Sequence, residues 1–208
     1  MKRVTDCRVE ITSYQLQIRD GVRVLQLASP DGTNRLTRAC ALELTAAVRH
    51  LAPAAQPLIV TGNEKFFSAG ADLHEIADLT GPDALDFSRL GQNLMNAIAD
   101  FPAPVCAAVS GYGMGGGLDL ALACHYRVAS PHAVFGHRGA ALGLITGWGG
   151  TQRLPRLVGK AGALQLFVAA EKVNVQDALR IGLVDAVAED PLGWAAGKLK
   201  QVAVAISA

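Results

Sequence analysis

The segment VSGYGMGGGLDLALACHYRVAS spans Val109–Ser130 and directly follows the apolar run PVCAAV. Three of its glycines have the spacing G-x-G-x-x-G, the pattern of a dinucleotide-binding turn. Such a turn offers a helix N-terminus to a pyrophosphate, yet here Asp119 lies in the first helical turn and would repel it. The pattern also needs an acidic residue about 20 positions further on, and no Asp or Glu occurs between Asp119 and Glu171. We therefore interpret the glycines as a different kind of ligand-binding turn.

Consecutive glycines at 115–117 favour a turn that leaves backbone N–H groups free at the start of a helix, where they suit an oxyanion. A second loop, FFSAGADL, spans Phe66–Leu73 and follows the short β-branched run PLIV. PLIV and VCAAV are both typical of buried strands. If they are parallel neighbours, the two loops emerge at the same edge of the sheet, where ligands of α/β folds bind. The pair predicts one site built from two loops.

The rest of the chain alternates strand-like and helix-like segments. Asp20-Gly21 separates two alternating apolar runs and predicts a hairpin, and Thr37 is a candidate N-cap for the helix that follows. Strands that alternate with helices predict an α/β protein with largely parallel pairing. We see no low-complexity segment, charge block or linker that would divide the chain.

Composition excludes several classes of function. The 208 residues carry 19 basic and 18 acidic side chains, a net charge of +1, so nothing indicates a nucleic-acid partner or an anionic membrane surface. The four cysteines are far apart and have neither metal-site nor disulfide spacing, which predicts reduced thiols, no metal site and a cytoplasmic location. No apolar run has the length of a signal peptide or a membrane span, so we expect no membrane partner.

Four motifs together carry a resemblance to a known family. They are, in order, EKFFSAGADL, VSGYGMGGGLDLALACHYRVAS, FGHRGAALGLITGWGGTQRLPRLVG and ALRIGLVDAV. Their order and spacing resemble the crotonase superfamily, the enoyl-CoA hydratase/isomerase family. The resemblance implies an α/β fold of repeated ββα units wound into a spiral, a homotrimer or hexamer, and an acyl-CoA substrate. It implies no separate cofactor, because coenzyme A enters as part of the substrate.

The resemblance also implies a set of site residues. The backbone N–H groups of Ala71 and Gly116 fall at the oxyanion hole, and Asp119 falls at the first of two catalytic glutamates. The remaining candidate substrate-binding positions in the motifs are Ala69, Asp72, Leu73, Gly115, His137, Arg138, Gly139 and Trp148. Trp148 shapes the acyl pocket, or it is a structural aromatic.

Gly139 is a departure from the family pattern, because FGHRG stands where the family usually has FGHPE and the second glutamate is lost. Hydration uses one acid to activate water and another to deliver a proton to the α-carbon. One carboxylate instead favours double-bond isomerisation or decarboxylation of a thioester. The alternative is a non-catalytic acyl-CoA-binding protein.

Two neighbours of Gly139 have open interpretations. Arg138 faces the acyl pocket and favours a substrate with a second carboxylate, or it is a solvated loop arginine. His137 relays protons, or it has a structural role.

The end of the chain is a second departure. Residues 1–190 correspond to the spiral core, and 191–208 are enough for one helix, where the family has several that build the trimer. The expected consequence is an altered assembly or an open acyl pocket.

Overall fold

The computed structural model describes residues 13–207 of the chain. Cys7, one of the four predicted reduced thiols, lies outside these residues, whereas Cys40, Cys106 and Cys124 are buried and unbridged within them. No helix among residues 13–207 is long and apolar enough to cross a membrane.

The described chain contains short strands and helices in an alternating order. The strands are β1 (Tyr14–Arg19), β2 (Val22–Leu27), β3 (Arg35–Leu36), β4 (Leu58–Thr61), β5 (Phe66–Ser68), β6 (Gly70–Ala71), β7 (Val105–Val109), β8 (Tyr112–Met114), β9 (Tyr126–Ala129), β10 (Val134–Gly136), β11 (Val173–Asn174) and β12 (Ala186–Val187). The α-helices are α1 (Arg38–Leu51), α2 (Leu73–Ala77), α3 (Gly81–Ala99), α4 (Gly116–Ala123), α5 (Gly150–Ala169), α6 (Val175–Arg180) and α7 (Pro191–Ser207). Short 3₁₀ helices lie at Ala52–Ala54 and Gly139–Leu142.

The chain winds as a spiral between two main sheets. One sheet has the order β1-β2-β4-β7-β9-β12, and the other has the order β11-β10-β8-β5. Each successive turn adds one strand to the first sheet (β4, β7, β9), then one to the second (β5, β8, β10), and then a helical segment. This arrangement confirms the predicted α/β spiral of ββα units.

The predicted hairpin is present in β1 and β2, which pair antiparallel with Arg19 opposite Val22. Asp20 and Gly21 connect them with φ values of 52° and 79°, the left-handed conformation that two-residue hairpin turns require. Thr37 caps α1 as predicted, because its side chain accepts a hydrogen bond from the Cys40 amide.

Helix ends follow local capping and strand boundaries. Helix α3 begins at Gly81, where the Thr80 and Asp83 side chains form a capping box. Helix α4 ends at Ala123, shortly before β9 begins at Tyr126. In addition, Gly159 has non-helical φ/ψ values within α5.

Strands β4 and β7 are parallel neighbours, with Leu58 opposite Val105 and Thr61 opposite Ala108. Both strands are fully buried, because the sheet is covered on both faces. The loops that follow them therefore emerge at one edge, as the sequence predicts, and this edge carries the candidate site.

Helix α7 packs against the first sheet of its own chain. Its residues Ala195, Ala196 and Leu199 are buried in an apolar cluster with Val24 and Ile59 of the sheet. The division at residue 190 and the trimer or hexamer remain predictions.

Candidate active site

A cavity of about 410 Å³ lies where the loop at Phe66–Leu73 and the glycine turn at 115–117 meet the segment that follows β10. Ten of the eleven site residues predicted from the sequence line it: Ala69, Ala71, Leu73, Gly115, Gly116, Asp119, His137, Arg138, Gly139 and Trp148. Three distant segments of the chain thus form one cavity.

Asp72 is the predicted site residue that does not line this cavity. Its carboxylate accepts a hydrogen bond from the His74 amide at 2.8 Å and caps α2, and it pairs with Arg35 at 3.2 Å. The His74 hydrogen bond and the Arg35 guanidinium both hold the pKa of Asp72 below its usual value. Asp72 faces a neighbouring cavity of about 340 Å³, so its predicted contact with the substrate remains a prediction.

The backbones of Ala71 and Gly116 come into close contact at one end of the cavity. A Cβ atom built on Gly116 would lie 3.3 Å from the Ala71 nitrogen, and one on Gly70 would lie 3.0 Å from the Gly116 nitrogen. Gly70 has a φ of 94°, a conformation that favours glycine. Gly116 is the first residue of α4, where N–H groups lack intrahelical acceptors. The fold thus brings the two predicted donors side by side.

Asp119 is buried in the first turn of α4, with 1% of its surface exposed. Its Oδ2 accepts a hydrogen bond from the Thr146 hydroxyl. Its Oδ1 lies 3.1 Å from Nε2 of His137, a residue that is 4% exposed. Within residues 13–207, neither Oδ1 of Asp119 nor Nε2 of His137 has a hydrogen-bond partner of good geometry. Two buried polar atoms therefore face each other without an aligned hydrogen bond, a rare arrangement inside a protein.

Gly150 lies directly against the Asp119 carboxylate and close to the His137 imidazole. A Cβ atom at Gly150 would lie 2.2 Å from Oδ1 of Asp119 and 3.1 Å from Nε2 of His137. Only a residue without a side chain leaves room for this pair. The nearby Arg153 guanidinium donates to the Trp148 carbonyl and to the Asn96 side chain, and partial burial lowers its pKa although Asp119 opposes the shift.

Gly139 lies at the start of the 3₁₀ turn and contributes no acid. A Cβ atom there would lie 2.8 Å from the Leu144 carbonyl oxygen, and the Leu144 amide donates to the Gly139 carbonyl at 2.9 Å. This turn is closed so tightly that a larger residue at 139 would require the Leu144 backbone to move. Arg138 next to it is exposed at the cavity mouth.

Thr146 also lines the cavity, although no sequence motif marks it as a site residue. It lies 27 positions from Asp119, and its hydroxyl donates a hydrogen bond to the Asp119 carboxylate. No local pattern in the sequence signals this contact. Apolar side chains from α2, the link after it, α3 and the 142–145 segment also line the cavity: Ile76, Leu79, Phe87, Leu142, Leu144 and Ile145.

The enoyl-CoA hydratase/isomerase family matches residues 17–199, which is most of the chain. The chain belongs to the enoyl-CoA hydratase/isomerase family. This is a family of acyl-CoA enzymes, as the four sequence motifs predict.

Individual members of the family are similar over much of their length. Crotonyl-CoA hydratase of Syntrophomonas wolfei is 41% identical over 177 residues, which cover 84% of this chain and 68% of that protein. Short-chain-enoyl-CoA hydratase of Clostridium acetobutylicum is 36% identical over 184 residues, 87% of this chain and 70% of that protein. The structure of Pseudomonas aeruginosa DspI superposes with a TM-score of 0.84 at 34% identity, covering 98% of this chain and 84% of that one.

Proposed function

We propose that this protein binds an acyl-CoA thioester with its carbonyl oxygen at the amides of Ala71 and Gly116 and stabilises the enolate formed there. The close approach of these two backbones supports the assignment. Charge on an enolate collects on oxygen, and a preorganised donor at about 3 Å contributes about 3 kcal/mol of stabilisation. The adjoining apolar part of the cavity would receive the acyl chain.

Asp119 is the general base in this proposal. The observation that carries it is that Asp119 is the only carboxylate among the described residues that line the cavity. Its side chain is one turn from Gly116, so a base and an oxyanion donor flank the same space. The Thr146 hydroxyl orients one of its oxygens, and the other lies beside His137 without an aligned hydrogen bond.

One carboxylate supports isomerisation or decarboxylation better than two-acid hydration. In isomerisation, Asp119 takes the proton from the α-carbon, electrons move to the thioester oxygen, and the same carboxyl returns the proton to the γ-carbon. In decarboxylation, the bond from the α-carbon to the departing carboxylate breaks, its electron pair forms the enolate as CO2 leaves, and the α-carbon then takes a proton from solvent water. In both reactions the oxyanion donors supply most of the stabilisation.

Hydration is a second candidate function, and the contact between His137 and Asp119 favours it. The His137 imidazole lies 3.1 Å from the carboxylate and could take the part of the missing acid. Two of the similar proteins named above are hydratases. In this case water adds to the β-carbon while a proton is delivered to the α-carbon.

Three assays on the same protein separate these functions. Deuterium exchange at the α-carbon of butanoyl-CoA reports enolisation, a 3-enoyl thioester reports isomerisation, and loss of crotonyl-CoA absorbance reports hydration. We expect exchange and isomerisation to exceed hydration, and Asp119→Asn to reduce both by about 10²- to 10⁴-fold. Faster hydration than isomerisation would favour the second candidate. Thioester binding without any exchange would show a non-catalytic acyl-CoA-binding protein.

A further inference from the structure

We propose that Trp148 forms the inner wall of the acyl cavity and restricts this protein to thioesters of short, straight acyl chains. This inference rests on the proposed function, because it takes the Gly116 amide as the position of the thioester oxygen. It concerns which acyl chain fits, and not which reaction follows.

The indole of Trp148 lies directly against Gly116. A Cβ atom on Gly116 would be 2.8 Å from Cζ3 and 2.9 Å from Cε3 of the indole. The six-membered ring therefore borders the space next to the proposed oxyanion donor, where the first carbons of an acyl chain must lie. Any chain that starts at this amide meets the indole within a few bonds.

The opposite side of the indole rests on helix α3. A Cβ atom on Gly91 would be 2.2 Å from each of Cδ1, Cδ2 and Cε2, so the ring occupies the space that a side chain at position 91 would need. The ring thus fills the gap between α3 at Gly91 and α4 at Gly116. It has no free space behind it into which it could move.

Polar and aromatic contacts hold the indole in this orientation. Its Nε1 donates to the Phe87 carbonyl at 3.1 Å, and the Phe87 and Trp148 ring centroids are 5.3 Å apart. Trp148 is 4% exposed. Tilting the ring would leave a buried N–H group without a partner, which costs about 1–3 kcal/mol.

A rigid wall discriminates strongly between chain lengths. One methylene that has no place in a hydrophobic pocket changes selectivity by about 10- to 200-fold. Butanoyl and crotonyl groups place few carbons beyond the α-carbon, whereas octanoyl and decanoyl groups must displace the indole or turn towards the exposed segment at Leu142–Ile145. We therefore expect affinity to fall steeply as the chain grows.

The test measures binding of saturated thioesters, so it does not depend on turnover. Butanoyl-, hexanoyl-, octanoyl- and decanoyl-CoA are titrated calorimetrically into the wild-type protein and into Trp148→Ala. We expect the affinity for decanoyl-CoA relative to butanoyl-CoA to rise at least about 10-fold in the variant. Trp194→Ala, which removes the chain's other tryptophan from helix α7 outside the cavity, is the matched control and should leave the ratio unchanged.

Gly91→Ala provides a second test, which also applies if Trp148→Ala does not fold. The new methyl group pushes the indole towards Gly116, so affinity for every acyl-CoA should fall at least about 10-fold. Trp148→Phe, with a smaller ring, should relieve this effect in the double variant, because coupled neighbours are not additive. Affinities that fall equally in both backgrounds would contradict the proposal.

The failures of the two proposals are distinguishable. If the affinity for decanoyl-CoA relative to butanoyl-CoA is the same in wild type and Trp148→Ala, Trp148 is not the wall of the acyl cavity. The proposed enolate chemistry is not affected by that result. A changed ratio together with no α-proton exchange would support the wall and overturn the catalytic function. No binding of any thioester would overturn both.

Discussion

Nε2 of His137 lies 3.1 Å from Oδ1 of Asp119 in a corner where both side chains are almost completely buried. The two residues come from different turns of the spiral, one from α4 and the other from the segment after β10. The contact is close but not aligned as a hydrogen bond. It joins an imidazole to the one carboxylate among the described residues of the cavity, so His137 is placed to position that carboxylate.

Replacing His137 by Gln should lower kcat for α-proton exchange by up to about 10²-fold with little change in KM, because a displaced Asp119 carboxylate loses its alignment with the α-carbon. Steady-state exchange kinetics give the two constants separately. His125→Gln is the matched control, since the His125 imidazole accepts a hydrogen bond from the Val105 amide and does not line the cavity. A change in KM alone would contradict the positioning role.

Removing the Thr146 hydroxyl should weaken both the fold and the reaction. In Thr146→Val the buried Oδ2 of Asp119 loses its donor, which should lower the free energy of unfolding by about 1–3 kcal/mol. Thr146→Ser keeps the hydroxyl and should retain most of the stability and of the exchange rate. Urea unfolding and exchange assays on both variants provide the comparison, and equal behaviour of Val and Ser would show that the hydrogen bond is unimportant.

Arg138 should favour thioesters that carry a second carboxylate. The side chain is exposed at the cavity mouth, so the ion pair would contribute up to about 1 kcal/mol and weaken as salt is added. The measurement is the affinity for malonyl-CoA relative to butanoyl-CoA in wild type and in Arg138→Ala. Arg156→Ala, an exposed arginine outside this cavity, is the control. An unchanged ratio in Arg138→Ala would identify Arg138 as a solvated loop residue.

Arg127 should matter for stability and not for the substrate. Its buried guanidinium donates to the carbonyls of Cys124 at 2.7 Å and Leu183 at 3.1 Å, and its amide donates to Asp185. Arg127→Met keeps the backbone amide but leaves the Cys124 and Leu183 carbonyls without their guanidinium donor, and it should cost about 3 kcal/mol of unfolding free energy. The exposed Arg89→Met should change it by less than about 0.5 kcal/mol. Chemical denaturation of the two variants is the measurement, and equal midpoints would contradict this role.

Much of the architecture could be predicted because the conformational preferences of turn and capping residues agree with the strand pairing of the fold. The Asp20-Gly21 turn and the Thr37 cap follow from the conformational preferences of a few adjacent residues. The loop at Phe66–Leu73 meets the glycine turn at 115–117 because the two buried strands before them are parallel neighbours, which was the one further assumption needed. Helix ends were less predictable, as α3 shows, because a capping box competes with the apolar pattern.

At Gly139 the sequence shows the residue type, and the structure shows the geometry of the turn. The absence of a glutamate at this position is visible in the sequence alone. That the turn has closed over the vacant position, with the Leu144 carbonyl 2.8 Å from any Cβ atom, is visible only in the structure. Restoring Glu at 139 would therefore require the segment to move.

The sequence by itself determined the family, the repeating α/β order and the residue types available for catalysis, since these depend on motifs and on local periodicity. Through the resemblance, it also predicted that Gly139 replaces the second catalytic acid of the family. Tertiary structure alone decided that His137 and Thr146 meet Asp119, that Asp72 turns towards a different cavity, and that Trp148 fills the space between Gly91 and Gly116. These contacts join residues that are distant along the chain, and their geometry depends on how successive turns of the spiral pack.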